Sequence, residues 1–360
     1  MNILFVANHI NVGGISSYLL TLSSGLIGHG HNVYLASSGG ELLGKFTAAG
    51  VKHVEVPLKT KKELSPKIIL SFLKLRKEVE KHNIDLIHSN SRTTQVLGNL
   101  LSRYCRKPHI FTCHGFFKPK LSRRLFPCWG NLVIAISQEV KEHLISDFKL
   151  DDKKIKVINN GIDLQGFGDV SGRQSFRESL GVGEVPLVGI VARLSDVKGH
   201  TYLFKAMPDV LKSFPSVKLL VVGEGKMKDA LIKEADDLAI RESVLFLSQA
   251  GGAENVLAGL DVFVMPSLQE GLGLALMEAM AQGLAVVGSA VGGIKTLIRN
   301  GQNGLLVVPA DHVSLAEAIK RLLADKQLRD NLGASARKFI VNNFSKEKMV
   351  DETERVYRDL

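Results

Sequence analysis

The chain has 360 residues, 45% hydrophobic and 6% aromatic, with a formal charge of +10. Such a length exceeds one ordinary hydrophobic core, so two domains are expected. No window approaches the roughly 20 apolar residues of a membrane-crossing helix, and with no basic-then-apolar leader before the first strand the chain reads as neither secreted nor organelle-targeted.

The charge is uneven. Residues 1–165 carry 23 Lys and Arg against 12 Asp and Glu, and residues 166–360 carry 23 against 24. Either this is a solvated surface without a partner, or the first part faces something anionic: a membrane, a phospholipid-like acceptor or nucleic acid. Nucleic acid ranks lowest, because no nucleic-acid-binding fold or motif is recognisable. Cys105, Cys113 and Cys128 lack metal spacing and read as reduced, inert thiols of a cytoplasmic protein.

In chain order, residues 2–7 form a buried strand, followed by Gly13-Gly14 and a helix with Ile15, Leu19, Leu22 and Leu26 on one face. Strand, Gly-Gly turn and helix open a doubly wound sheet, and the turn lies where such sheets bind ligands. The pattern Gly-x-Gly-x-x-Gly is absent, which argues against a dinucleotide site and a nicotinamide-dependent oxidoreductase. Residues 32–36, 52–56, 84–88 and 108–113 read as further strands. Pro66 begins a helix expected to turn Ile69, Phe72, Leu73 and Leu75 inward and Lys67, Lys74, Arg76, Lys77 and Lys81 outward. The strand at 108–113 ends in Cys113-His114-Gly115, which places His114 at the ligand crevice of a parallel sheet.

Residues 116–131 mix Phe116, Phe117, Leu121, Leu125, Phe126 and Trp129 with Lys118, Lys120, Arg123 and Arg124. Basic residues among aromatics suit an interface with an anionic membrane or acceptor; a connecting helix with one buried face fits equally well. Residues 132–136 are a strand, and Ser137 caps the helix after it. Residues 165–184, rich in Gly, Ser and charge, read as a linker.

A second alternating series starts at 186–192. After its first strand, Arg193 and Lys198 flank a strand-to-helix turn, where a planar fork and a point charge together suit a diphosphate. The strand at 219–222 leads to Gly223-Glu224-Gly225, a second glycine-rich turn. Residues 261–265 form a short strand that Pro266 and Ser267 end. Gly271 and Gly273 make a turn whose backbone can approach a ligand closely. Leu274, Met277 and Ala281 have helical spacing. Glu270 sits in the turn and Glu278, eight residues on, one turn into the helix, with the free N–H groups of the helix start between them. Those groups and the macrodipole favour an anion there. Strands at 285–287 and 304–308 and three helical stretches, the last at 345–359, close the chain.

The segment 266–283, Pro-Ser-Leu-Gln-Glu-Gly-Leu-Gly-Leu-Ala-Leu-Met-Glu-Ala-Met-Ala-Gln-Gly, resembles the paired-glutamate signature of retaining glycosyltransferases of GT-B architecture, family 4. Arg193-Leu194 with Lys198-Gly199, and Asn160-Gly161-Ile162-Asp163, match further segments of that family. The resemblance covers essentially the whole chain. It departs at Ala285, where the family often has Pro, and at Lys295-Thr296, where it often has Pro-Glu, so substrate preference does not carry over.

The resemblance implies an α/β fold of two Rossmann-like doubly wound domains facing across a cleft. Residues 1–165 would bind the acceptor, 166–185 link, 186–344 bind the nucleotide sugar, and the terminal helix 345–360 return to the first domain. It implies transfer of a sugar, with retention, from a nucleoside diphosphate sugar, UDP foremost, to a glycan or lipid-linked hydroxyl in polysaccharide, lipopolysaccharide or glycolipid synthesis. Arg193, Lys198 and the N–H groups near Gly273 and Leu274 would take the diphosphate, with Gly13 and Gly14 closing over it and Gly223, Glu224, Gly271 and Leu272 lining the donor site. Glu278 would hold ribose hydroxyls, and Glu270 and His114 would sit by the sugar. No metal and no cofactor are expected, as no Asp-x-Asp motif stands out. Reaction on one face is what the family implies; a covalent Glu270 is the alternative. A nucleotide-sugar 2-epimerase and a non-catalytic binding module of the same fold are the rival functions. The first domain is expected to rest on the cytoplasmic face of an anionic membrane through Lys118, Lys120, Arg123 and Arg124.

Overall fold

The computed structural model describes all residues except 61, 64, 121, 122, 124, 125 and 249–252. The chain divides into two compact units, Met1–Asp163 with Phe344–Leu360, and Leu164–Asn343.

The first unit is a parallel sheet of seven strands: β1 (Asn2–Val6), β2 (Asn32–Ser37), β3 (Lys52–Glu55), β4 (Leu86–Ser89), β5 (His109–Cys113), β6 (Leu132–Ala135) and β7 (Ile155–Val157), in the order β3-β2-β1-β4-β5-β6-β7. Helices cover both faces, so the central strands are apolar throughout rather than alternating. Ile3, Phe5, Leu35, Ile110 and Ile134 pack against Leu19, Leu22 and Leu26 on one face. Leu4, Val6 and Ile87 pack against Ile68, Leu75, Val79, Leu97 and Leu101 on the other. The strand order reverses between β1 and β4, and the crevice outside their carboxyl ends is where such sheets take ligands.

The helix Pro66–Lys81 starts on a Ser65 cap with proline in its first turn. Its buried residues are Ile68, Ser71, Leu75 and Val79, not the expected set. Ile69 and Leu73, read as inward, are exposed, as is Leu70. The run Ile68-Ile69-Leu70-Ser71-Phe72-Leu73 is apolar nearly all round, so its spacing supports two overlapping faces and only the sheet decides between them.

The closing helix Lys346–Arg358 belongs to the first unit. Phe344 O accepts from Ile162 N–H, and Ile162 O accepts from Lys346 N–H, each at 3.0 Å. Lys346 Nζ pairs with Asp163 at 2.7 Å. Met349, Val350 and Tyr357 complete the core. Below the crevice, the buried His88 ring lies between Tyr357 Oη, 2.5 Å from Nδ1, and Thr112 Oγ1, 2.6 Å from Nε2. Burial first, then the neighbouring His114 and His109, holds the His88 imidazole well below its ordinary pKa and therefore neutral. Tyr357→Phe would leave His88 Nδ1 buried and unpartnered, and is expected to cost about 1–3 kcal/mol of stability. An unchanged urea midpoint would show that this contact does not hold the helix.

The second unit is a parallel six-stranded sheet: β8 (Leu187–Val191), β9 (Lys218–Val222), β10 (Val244–Leu247), β11 (Val262–Met265), β12 (Ala285–Ser289) and β13 (Leu305–Val307), in the order β10-β9-β8-β11-β12-β13. Val188, Ile190, Val221, Val264 and Val287 pack against Leu203, Phe204, Met207, Ile319 and Leu322. Its order reverses between β8 and β11.

Residues 166–185, read as a linker, contain the helix Arg173–Ser179 and lie inside the second unit. Asp261 fastens it: Arg173 donates to Oδ1 at 2.7 Å, Arg177 to Oδ2 at 3.3 Å, and Leu187 N–H to Oδ2 at 2.8 Å. Glycine and charge suggested a tether, but the partner that orders the segment lies some eighty residues away. All the net charge lies in the first unit, with 27 Lys and Arg against 17 Asp and Glu, while the second is balanced at 19 each. The three thiols are free, and burial pushes that of Cys113 up to about 12.

Candidate active site

In the second unit the sequence-predicted residues gather at the carboxyl edge of the sheet around the β8/β11 reversal. β8 delivers Ala192, Arg193 and Leu194; Asp196–Lys198 form a single 3-10 turn; the helix His200–Ser213 follows. Gly199 has φ +72°, and a Cβ there would fall 1.9 Å from Pro266 O, so the turn closes onto the loop after β11 only with glycine. Leu268 N–H donates to Val197 O at 2.8 Å and seals the two loops together.

That closure brings Lys198 to Glu270. Nζ and Oε2 are 2.5 Å apart, and the two side chains are mostly buried. Ser267 Oγ–H also donates to this carboxylate, at 3.4 Å. Arg193 is exposed and has no ion-pair partner among the described residues. Leu194 N–H donates to Glu224 O at 2.9 Å, which sets the Gly223-Glu224-Gly225 turn beside the arginine. The Glu224 side chain is exposed.

The helix Leu274–Gln282 begins at Gly273, whose φ of +100° and ψ of +68° are left-handed, and no side chain caps it. Its first N–H groups are thus unclaimed by side chains and carry the positive end of the dipole. Gly293 N–H donates to Glu270 O at 3.1 Å and braces the loop 270–273 from the turn after β12. Glu278 lies one turn into the helix, partly buried and without a hydrogen-bond partner among the described residues. Desolvation, then the nearby Glu254, raises its carboxyl to about 7.

Sequence reasoning passed over four contributors here: Ser267, Glu254, Ser195 and His200. His200 is 2% exposed, and neither ring nitrogen nor Ser195 Oγ has a hydrogen-bond partner among the described residues. Burial, then the charge of Lys198, lowers its pKa to about 4. A lone histidine after Lys-Gly carried no signal of this.

His114, Gly13 and Gly14 belong to the first unit. Gly13 and Gly14 are exposed where β1 runs into the helix Gly14–Gly28. His114 follows β5; its Nε2–H donates to Asn90 Oδ1 at 3.1 Å, and its ring meets Tyr18 edge-on, with centroids 4.7 Å apart. Burial lowers its pKa to about 3, so it acts as a neutral imidazole. Asn90, just past β4 and 2% exposed, was not foreseen.

Of the two readings of the stretch 116–129, the structure favours a connecting segment with one buried face. Phe117 and Trp129 pack on Phe111, and Trp129 on Phe148. Arg123 folds back: it lies 4.8 Å over the Phe117 ring, 3.6 Å from Glu63, and donates to Lys118 O. It is therefore committed internally rather than free for a membrane. Lys118, Lys120 and Phe126 are exposed. Arg124, Leu121 and Leu125 lie outside the described residues.

The family described as Glycosyltransferase Family 4 matches residues 12–165, and that described as Glycosyl transferases group 1 matches residues 172–339. An uncharacterized glycosyltransferase of Methanocaldococcus jannaschii is 30% identical over 96% of this chain and 94% of its own. The UDP-Gal:alpha-D-GlcNAc-diphosphoundecaprenol alpha-1,3-galactosyltransferase of Escherichia coli is 30% identical over 81% of this chain and 79% of its own. Among solved structures, Anabaena HepE in complex with UDP and glucose superposes with a TM-score of 0.89 at 22% identity, over 100% of both chains. That likeness gives the fold, GT-B. With a carboxylate–cation pair and an uncapped helix start at one sheet edge, and a relative 30% identical along nearly the whole sequence, the chain belongs to the group 1, family 4 glycosyltransferases.

Proposed function

We propose that the chain transfers a glycosyl group, with retention at the anomeric carbon and without a metal ion, from a UDP-sugar to a hydroxyl of a lipid-linked or glycan acceptor in cell-surface polysaccharide, lipopolysaccharide or glycolipid synthesis. The observation that carries this is the convergence of Arg193, the Lys198–Glu270 pair and the helix start at Leu274 on one sheet edge. The named donor and acceptor of the Escherichia coli relative support it, as does the UDP in the Anabaena structure.

The departing diphosphate gathers negative charge as the anomeric C–O bond breaks. Arg193, Lys198 and the N–H groups of the helix start are preorganised to receive it. A bound diphosphate shares Lys198 with Glu270, which frees a Glu270 oxygen for a sugar hydroxyl. Glu278, as a carboxylate, accepts from the ribose hydroxyls. The acceptor oxygen bonds to the anomeric carbon on the face the diphosphate leaves, and its proton passes to the leaving phosphate oxygen. The neutral His114, steadied by Asn90, hydrogen-bonds sugar or acceptor without contributing charge. The work is done on the cytoplasmic side of a membrane; no helix among the described residues is long and apolar enough to cross one.

The test is a thermal-shift panel of nucleoside diphosphates, then transfer of labelled sugar to lipid-linked acceptors with the product anomer read by NMR. UDP is expected to raise Tm, chelator to leave transfer unchanged, and the product to keep the donor's anomeric configuration. A chain that no nucleoside diphosphate stabilises, or that only epimerises the donor sugar, is not this transferase.

A further inference from the structure

We infer that the outer face of the helix Pro66–Lys81, with its neighbour on the helix Arg92–Cys105, is the surface by which the first unit docks on an anionic phospholipid bilayer. This rests on the lipid-linked acceptor proposed above and places the contact on a different element from the aromatic stretch 116–129.

Ile69, Leu70 and Leu73 are 62%, 57% and 44% exposed and adjoin one another at helical spacing. Leu100 and Tyr104, also exposed, extend the patch from the next helix; the Phe72 and Tyr104 rings meet edge-on at 5.4 Å. No other part of the described surface carries three exposed large aliphatic side chains within five residues. Such a continuous apolar patch signals a partner surface rather than scatter.

Charge selects the partner. The first three turns, Pro66 to Lys77, carry Lys67, Lys74 and Lys77 and no acid, and Glu78 and Glu80 follow at the far end; Arg76 is taken by the Tyr104 ring and hydroxyl. Lys62, Lys67, Lys74 and Lys77 are exposed. The unit's net excess of ten positive charges argues against a second copy, which would present the same sign. Aliphatic side chains on a helix flanked by lysines are the composition that settles at a headgroup–acyl boundary and is drawn to anionic lipid. In the stretch 116–129, by contrast, the rings pack on one another and Arg123 is taken by Glu63.

The placement serves the reaction. In a parallel sheet the connecting helices run against the strands, so the first turns of this helix lie towards the carboxyl edge. Asn8, just past β1, donates to Leu58 O and Thr60 O on the approach to the helix, at 3.0 and 2.9 Å. The docking face and the crevice that holds Asn90 and His114 thus share one edge, where an acceptor anchored in the bilayer arrives.

The test is cosedimentation of the full chain with vesicles of equimolar phosphatidylglycerol and phosphatidylcholine, and with phosphatidylcholine alone. The wild type is expected to bind the anionic vesicles, more weakly as salt rises. The triple change Ile69→Gln, Leu70→Gln, Leu73→Gln is expected to lower that binding at least about tenfold, given the transfer free energy of the aliphatic groups removed. The triple change Lys67→Gln, Lys74→Gln, Lys77→Gln should weaken it and flatten its salt dependence. Lys118→Ser, Lys120→Ser, Phe126→Ser should leave it near wild type. All these positions are exposed, so each variant should keep its Tm and its UDP-induced shift. The docking inference is overturned if the wild type ignores anionic vesicles at low salt, if the aliphatic variant binds as the wild type does, or if that variant changes only the oligomeric state. Absence of a UDP shift in the wild type would instead strike the donor assignment, and sedimentation would still judge the docking face.

Discussion

Arg193→Ala is expected to lower kcat/KM for glycosyl transfer by about 100- to 1,000-fold while leaving the urea midpoint nearly unchanged. Losing one preorganised donor to a developing anion costs roughly 3–4 kcal/mol. Arg193 is exposed and makes no ion pair among the described residues, so the folded state gains little from it. Lys198→Ala should lose activity to a similar degree but for a mixed reason. Its ammonium is the partner of Glu270, and both side chains are mostly buried. Removing it strands a carboxylate and is expected to cost a further ~1–3 kcal/mol of stability. Lys198→Ala with Glu270→Gln removes that stranded charge, so stability should recover while activity does not. Steady-state kinetics with urea denaturation on all three variants separates the two effects. Wild-type turnover in Arg193→Ala would mean that the diphosphate does not sit at the β8/β11 edge.

What was legible in the sequence was what short-range chemistry dictates. Pro266-Ser267 ends β11, and Gly271 and Gly273 make the turn before the helix Leu274–Gln282; each requirement is local, so residue type and spacing exposed it. The alternation of strands and helices was legible for the same reason, since strands buried on both faces read as unbroken apolar runs. What escaped depends on partners far along the chain. Arg193, Lys198 and Glu270 were each assigned to the ligand, but nothing in the spacing says that Lys198 and Glu270 first bind each other. Arg123 looked free until Glu63 and the Phe117 ring were placed beside it. The helix Arg173–Ser179 looked like linker until Asp261 supplied the anchor for its two arginines. Ile69 and Leu73 were read inward because an apolar run does not declare which of two faces the sheet will cover.

Glu278→Gln is expected to strengthen the fold and weaken the nucleotide site at once. Desolvation and Glu254 hold the Glu278 carboxyl at about 7 in the folded chain, above its ordinary value of 4.5. The folded state therefore binds more protons than the unfolded state between these two values, and stability falls as pH rises through that window. Above it the ionised carboxylate costs on the order of 3 kcal/mol; below it, protonated in both states, it costs nothing. Glutamine removes the ionisation, so the variant should unfold at higher urea than the wild type at about pH 8, and at the same urea at about pH 4. Binding moves the other way. Ribose hydroxyls donate to a carboxylate, so wild-type affinity for UDP should rise as pH passes through 7 and then level off. The variant should bind roughly tenfold or more weakly at about pH 8, because charge-assisted hydrogen bonds are the stronger ones, and should show no such rise. Calorimetric titration of UDP at several pH values, beside urea curves at the same values, reads both. Equal, pH-independent affinity in the two proteins would remove Glu278 from the ribose, while a stability gain confined to high pH would still establish that its charge is held there at a cost.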